Sequence, residues 1–131
     1  MSKILIVEDD PYVRKFYERL FSHEQYEVEI AGDGEEGLQK AKSFQPNLIL
    51  LDIIMPKMDG LQVLQKLKTD PETKEMDVVM LTNLSDSETV KVATRAGASG
   101  FIIKSQADPE RLEALVEQYL HQQPSAKGVI S

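Results

Sequence analysis

Four apolar runs in this chain stop at residues able to hold a metal or handle a phosphoryl group. Ile4-Leu5-Ile6-Val7 is followed by Glu8, Asp9 and Asp10, and Leu48-Ile49-Leu50-Leu51 by Asp52. Val78-Val79-Met80-Leu81 leads into Thr82, and Phe101-Ile102-Ile103 into Lys104. If Glu8, Asp9 and Asp52 meet in a partly buried site, they either raise one another's pKa or hold a hard cation. A small set of carboxylates with open positions suits Mg²⁺, which keeps several waters and also takes phosphate oxygens. A carboxylate beside that ion, with a lysine and a hydroxyl at hand, is equipped for phosphoryl transfer. Cation and ammonium neutralise the equatorial oxygens, and the hydroxyl donates a hydrogen bond to one of them. Asp52, at the end of a central strand, is the natural nucleophile, with an aspartyl phosphate as its product.

Each residue alone has an ordinary reading. Asp10 before Pro11 is a helix cap, a lone Thr82 is a turn residue, and a lone Lys104 is a solvated charge. Glu8 and Asp9 by themselves are as readily structural as functional. The case rests on convergence. Short, wholly apolar runs read as strands buried on both faces of a parallel sheet, and function in such sheets collects beyond the carboxyl ends of the strands.

The elements that would gather these residues alternate along the chain. Strands are expected at 3–8, 27–31, 47–52, 77–82 and 100–104, with helices near 11–22, 35–44, 60–69, 86–96 and 109–121. The first helix carries Val13, Phe16, Tyr17, Leu20 and Phe21 in one apolar stripe; the last carries Leu112, Leu115, Val116, Tyr119 and Leu120. Asp10-Pro11 and Asp108-Pro109 read as caps, and Asp33/Glu36 and Ser85/Glu88 have capping-box spacing. Gly97 and Gly100 bracket the turn into the last strand. Glu27-Val28-Glu29-Ile30 alone alternates, as expected of a sheet edge with one wetter face. Five βα units with right-handed crossovers make a three-layer α/β/α sandwich. One domain over 1–121 is expected, with a tail at 122–131 that has no core-facing pattern.

The formal charge of -7 argues against a nucleic-acid partner and against anionic membranes. No apolar run approaches the ~20 residues of a membrane span. The first strand begins so early that no signal peptide is expected, and the lack of cysteine excludes disulfides and thiolate chemistry. These features point to the cytosol. His23 and His121 read as surface residues, and Met55, Met58 and Met80 as packing rather than ligands. The lysines of the third helix read as a solvated face.

Taken together, Ile4-Leu5-Ile6-Val7-Glu8-Asp9-Asp10, Leu50-Leu51-Asp52-Ile53-Ile54-Met55-Pro56, Met58-Asp59-Gly60, Leu81-Thr82 and Ile103-Lys104 resemble the receiver domain of two-component response regulators. The match runs from about 3 to 121, in order and at family spacing. It implies a flavodoxin-like, five-stranded parallel sheet of order 2-1-3-4-5. It also implies that Asp52 accepts phosphate from a histidine kinase or a histidine phosphotransfer protein. Glu8, Asp9, Asp52 and the backbone carbonyl of Ile54 would arrange Mg²⁺ (or Mn²⁺), and Thr82 and Lys104 would bind the phosphoryl oxygens. Phe101 falls at the aromatic position whose rotamer follows the threonine, but it has no hydroxyl, so any coupling must run through packing. Such a domain would be a switch rather than a general enzyme, catalysing only its own aspartyl phosphorylation and dephosphorylation.

Departures from the family are informative. Ser105 stands where the family usually has proline after a cis bond, so a trans Lys104-Ser105 bond is expected. Asn83 replaces a small residue after the threonine, where its amide would narrow access or add a hydrogen bond. Ile54 and Leu84, both apolar, occupy positions that tune hydrolytic water, so a long-lived aspartyl phosphate is expected. The fourth helix offers only Val90, Ala93 and Ala96 as anchors and should be loosely held. That helix, the last strand and the last helix form the expected output face. With no DNA-binding module after residue 121, output would pass to a partner protein, a phosphorylation-dependent dimer or onward phosphotransfer. Ala98-Ser99-Gly100 lacks the acidic residues usual before the aromatic in the transcription-factor subgroup, which weakens that type of dimer.

Three rivals are weaker. A haloacid-dehalogenase-like phosphatase needs a D-x-D nucleophile motif after its first strand, and Glu8-Asp9-Asp10 does not supply it. A flavodoxin-type flavin binder needs a Ser/Thr/Gly-rich phosphate loop there, and three carboxylates would repel the cofactor phosphate. A phosphate-independent pseudo-receiver would not need the full residue set.

Overall fold

In the computed structural model, residues 1–22, 26–83 and 87–121 are described. The apolar runs pair into one parallel sheet: β1 (Lys3–Val7), β2 (Glu27–Ala31), β3 (Leu48–Asp52), β4 (Asp77–Thr82) and β5 (Gly100–Ile103). Their order is β2-β1-β3-β4-β5. Chain order reverses at β1, which pairs with β2 on one side and β3 on the other. The crevice beyond β1 and β3 is therefore the sheet's topological switch point, where such folds place ligands.

Five helices cover the sheet: α1 (Pro11–Ser22), α2 (Gly34–Phe44), α3 (Gly60–Thr69), α4 (Ser87–Ala96) and α5 (Pro109–Leu120). Alternate strand residues feed two cores. Leu5, Val7, Ile49, Leu51, Val78 and Met80 pack with buried residues of α2, α3 and α4. Ile4, Ile6, Leu48, Leu50, Val79 and Leu81 pack with Tyr17 and Phe21 of α1 and Leu112 and Val116 of α5. β1, β3 and β4 are buried on both faces, whereas β2 alternates as its sequence suggests.

Several expectations need correction. β1 and β5 end one residue earlier than expected: Glu8 lies just past β1, and Lys104 opens a 3₁₀ turn over Lys104–Gln106. The pairing at Glu8 still continues, since its N–H donates to Ala31 O at 3.1 Å. Phe16 is 47% exposed, so it does not belong to the core stripe of α1. The stripe is wider than the sheet can cover, and Tyr17 and Phe21 take the buried places. Asp33 caps α2 through Glu36 N, but the Glu36 carboxylate reaches Gly32 N, so the reciprocal half of the box is displaced by one residue. Among the described residues a complete capping box stands at Asp59 and Gln62, which opens α3. Lys66 is exposed as expected, but Lys68 is half-buried and its Nζ donates to the carbonyls of Lys74 and Met76. The Ser85/Glu88 cap, His23 and the tail at 122–131 lie outside the described residues.

Candidate functional site

Glu8, Asp9 and Asp52 reach one place because β1 and β3 are neighbours in register, with Val7 opposite Leu51. One carboxylate oxygen from each lies within 4.8 Å of the others. Glu8 and Asp52 are buried, at 2% and 6% exposure, and Asp9 is half-buried. Asp10 turns away to cap α1, its Oδ1 accepting from Tyr12 N and Val13 N.

Lys104 reaches into this cluster from the end of β5. Its Nζ donates to Glu8 Oε2 at 2.7 Å and to Asp52 Oδ2 at 3.1 Å. Two of the three carboxylates thus share one ammonium. Burial pushes the Glu8 carboxyl up to about 7; the hydrogen bond from Lys104 opposes this and the Asp52 charge adds to it. Burial also disfavours the Lys104 ammonium, but the Glu8 hydrogen bond and the Asp52 and Glu8 charges outweigh it, so its pKa rises. The two shifts differ in origin: burial dominates at Glu8, whereas the two acids beside Lys104 raise its pKa against burial. A hard divalent cation would relieve the excess of negative charge, and an all-oxygen donor set suits Mg²⁺.

Thr82 belongs to the other face of the sheet. Glu8, Asp52 and Lys104 follow the alternation of Ile6, Leu50 and Ile102, which face α1 and α5. Thr82 follows Val78 and Met80, which face α2, α3 and α4. It is 1% exposed and pairs with Ile103, one rung beyond Leu81 opposite Ile102. Phe101, opposite Met80, packs against that same core. Thr82 and Phe101 are therefore diagonal neighbours on the α4 side, while the ion-paired trio lies on the α1/α5 side.

The loops supply the rest. Ile54 is 62% exposed in the segment after Asp52. Asn83 is exposed and its Oδ1 accepts from Ser105 N at 2.9 Å, which realises the hydrogen-bond option of the two left open. The Lys104-Ser105 bond is trans, as expected. Leu84 lies outside the described residues.

The sequence reading missed one supporting residue, Arg14, and gave no role to a second, Gly60. Arg14 Nη1 donates to the Glu8 carbonyl at 3.0 Å, which fixes the backbone under the acid. No motif flags it. Gly60 lets α3 begin directly against the Asp52 backbone: a Cβ there would collide with the Asp52 carbonyl oxygen, and its N–H donates to Ile53 O at 2.7 Å. A glycine just after an N-cap aspartate was the available signal, because that position does not need one.

A family model described as the response regulator receiver domain matches residues 4–117. The response regulator ArlR of Staphylococcus saprophyticus is 36% identical over 135 aligned positions, covering 99% of this chain and 60% of that protein. The probable C4-dicarboxylate response regulator DctR of Halalkalibacterium halodurans is also 36% identical, over 91% of this chain and 51% of its own length. The chain thus spans about half to three-fifths of these relatives. Among solved structures, the chemotaxis protein CheY4 of Vibrio cholerae superposes with a TM-score of 0.85 at 29% identity, covering 91% of this chain and 98% of that one. A CheY-like receiver domain protein of Methanospirillum hungatei gives 0.83 at 34% identity, over 92% and 94%.

Proposed function

Because the chain belongs to the receiver-domain family of response regulators, we propose that it accepts a phosphoryl group on Asp52 from the phosphohistidine of a sensor kinase or phosphotransfer protein. The observation that carries this reading is the Lys104 ammonium held between Asp52 and Glu8 inside an acid cluster. A carboxylate oxygen of Asp52 attacks phosphorus as the P–N bond to the donor imidazole breaks, and the imidazole keeps that electron pair and takes a proton. Lys104 pairs with one phosphoryl oxygen and Thr82 donates its hydroxyl to another. Glu8, Asp9, Asp52 and the Ile54 carbonyl would hold Mg²⁺, or Mn²⁺, which when bound supplies charge neutralisation for the transferring group.

The protein is a switch, and its only catalysis is on its own Asp52. Phosphorylation engages Thr82, which shares its sheet face with Phe101 and α4. The surface of α4, β5 and α5 then meets a downstream protein, or a second copy in a phosphorylation-dependent dimer, with no role for nucleic acid or membrane. No helix among the described residues is long and apolar enough to cross a bilayer, which suits a cytoplasmic signalling role. Ile54 and Leu84 cannot orient water, so the aspartyl phosphate is long-lived; Ile54→Asn with Leu84→Glu should speed its loss.

Incubation with acetyl phosphate and Mg²⁺, read by intact mass, tests the central claim. The wild type gains one phosphoryl group and Asp52→Ala gains none. Equal modification of both removes Asp52 as the acceptor.

A further inference from the structure

The hydrogen bond between Asn83 and Ser105 joins the two loops that carry Thr82 and Lys104, and neither the acid cluster nor the phosphoryl chemistry accounts for it. The β4–β5 ladder ends at Thr82 opposite Ile103. Lys104 stands one residue beyond it, just past the end of a four-residue strand that is the sheet's edge among the described residues. The 3₁₀ turn that begins there has no side-chain cap from Ile103, and its closing bond, Ala107 N to Lys104 O, is long at 3.4 Å. The backbone at Lys104 is thus weakly held by the fold's regular pairing.

Asn83 supplies what the ladder lacks. Its Oδ1 accepts from Ser105 N at 2.9 Å, one rung past the last strand pair. The Ser105 N–H and the Lys104 carbonyl belong to one planar peptide group, so anchoring the N–H sets the orientation of the whole Lys104-Ser105 peptide. That orientation aims a long, flexible side chain whose Nζ must meet Glu8 Oε2 and Asp52 Oδ2 together.

Resting on the receiver reading above, we infer that Asn83 is a positioning residue: through Ser105 N it holds the Lys104 ammonium where it meets the phosphoryl group on Asp52. Asn83 touches neither the nucleophile nor the lysine side chain, so its effect is on placement. Because it directly follows Thr82, any movement of Thr82 toward a phosphoryl oxygen is passed to Ser105 and so to Lys104. The two groups that contact the phosphoryl oxygens are linked by this bond and engage together.

The bond is exposed to solvent, so its loss costs the fold little. Its loss is felt in the rate, since a displacement of ~1 Å at a reacting group can cost about a hundredfold. Four proteins test the inference: wild type, Asn83→Ala, Asn83→Asp and Ser105→Ala. Acetyl phosphate concentration is varied at saturating Mg²⁺, and the Lys104 ammonium is followed by ¹⁵N NMR without phosphate. In Asn83→Ala the maximal phosphorylation rate should fall about three- to tenfold, with an unchanged melting temperature and loss of the resolved Lys104 ammonium signal. Asn83→Asp keeps the acceptor and should recover most of the rate and the signal. Ser105→Ala keeps the N–H and should match wild type in both.

A wild-type rate in Asn83→Ala overturns the inference. So does a faster one, which would make the side chain an obstruction. If the wild type takes no phosphoryl group, the receiver reading fails, and the ammonium signal still decides whether Asn83 positions Lys104.

Discussion

Glu8 and Lys104 answer to each other as much as to any ligand. The Glu8 pKa is raised from an ordinary 4.5 to about 7, so the folded chain binds that proton more tightly than the unfolded one. The stability this group contributes is full below 4.5 and is lost as pH rises through about 7. Thermal melts in chelator should therefore show a falling melting temperature between about pH 5 and 8. Millimolar Mg²⁺ should flatten that slope by taking over as counter-ion, and Glu8→Gln should abolish it. Lys104→Met removes the shared cation and leaves two buried acids facing each other. Protonation of Glu8 softens the loss, which should be about 2 kcal/mol and largest at high pH. Denaturant melts at two pH values check this, and phosphorylation of the variant should be strongly slowed. Residue types were the most legible part of the site, because the acids, the alcohol and the amine each sat at a strand end. The Lys104–Glu8 pairing was not legible: parallel strand order decides which ends touch, and no local pattern states that order.

At the scale of elements, α3 is bound closely to Asp52. Gly60 begins that helix against the Asp52 carbonyl with no room for a methyl group. Gly60→Ala must push the helix start away from the strand end, at a cost of about 3 kcal/mol or more, and should reduce Asp52 phosphorylation in whatever fraction stays folded. Melting and intact-mass labelling of one sample measure both. Helix positions could be read from apolar spacing and caps, but their details could not. Phe16 fits the α1 stripe by spacing, yet Tyr17 and Phe21 fill the space against the sheet. Gln45 ends α2 at φ 53°, a left-handed cap where sequence rules expect glycine or asparagine. Lys68 looked solvated on its helix alone, because the carbonyls it serves belong to the segment that follows.

Across the whole molecule, holding strength is uneven. α3 buries Gly60, Val63, Leu64 and Leu67, whereas α4 buries only Ala93. Hydrogen exchange should show α4 as the least protected of these two helices in the unmodified protein, with its protection changing on phosphorylation and that of α3 hardly at all. Uniform protection of both would argue against α4 as the responsive element. The weak hold on α4 was visible in its sequence, where Val90, Ala93 and Ala96 are its only inward candidates. The sheet order came from the family resemblance, because wholly apolar strands carry no mark of their neighbours.

The alternation of the strands places the ion-paired trio on one side of the sheet and Thr82 with Phe101 on the other. A layer of backbone therefore divides the acids and Lys104 from Thr82 and Phe101, and a group bound at the rim would touch both. If the proposed function holds, substitutions around α4 would redirect the message to a new listener while the chemistry of receiving it stayed as it was. A lineage could diversify its outputs on one side of this sheet while keeping a single inherited reaction on the other.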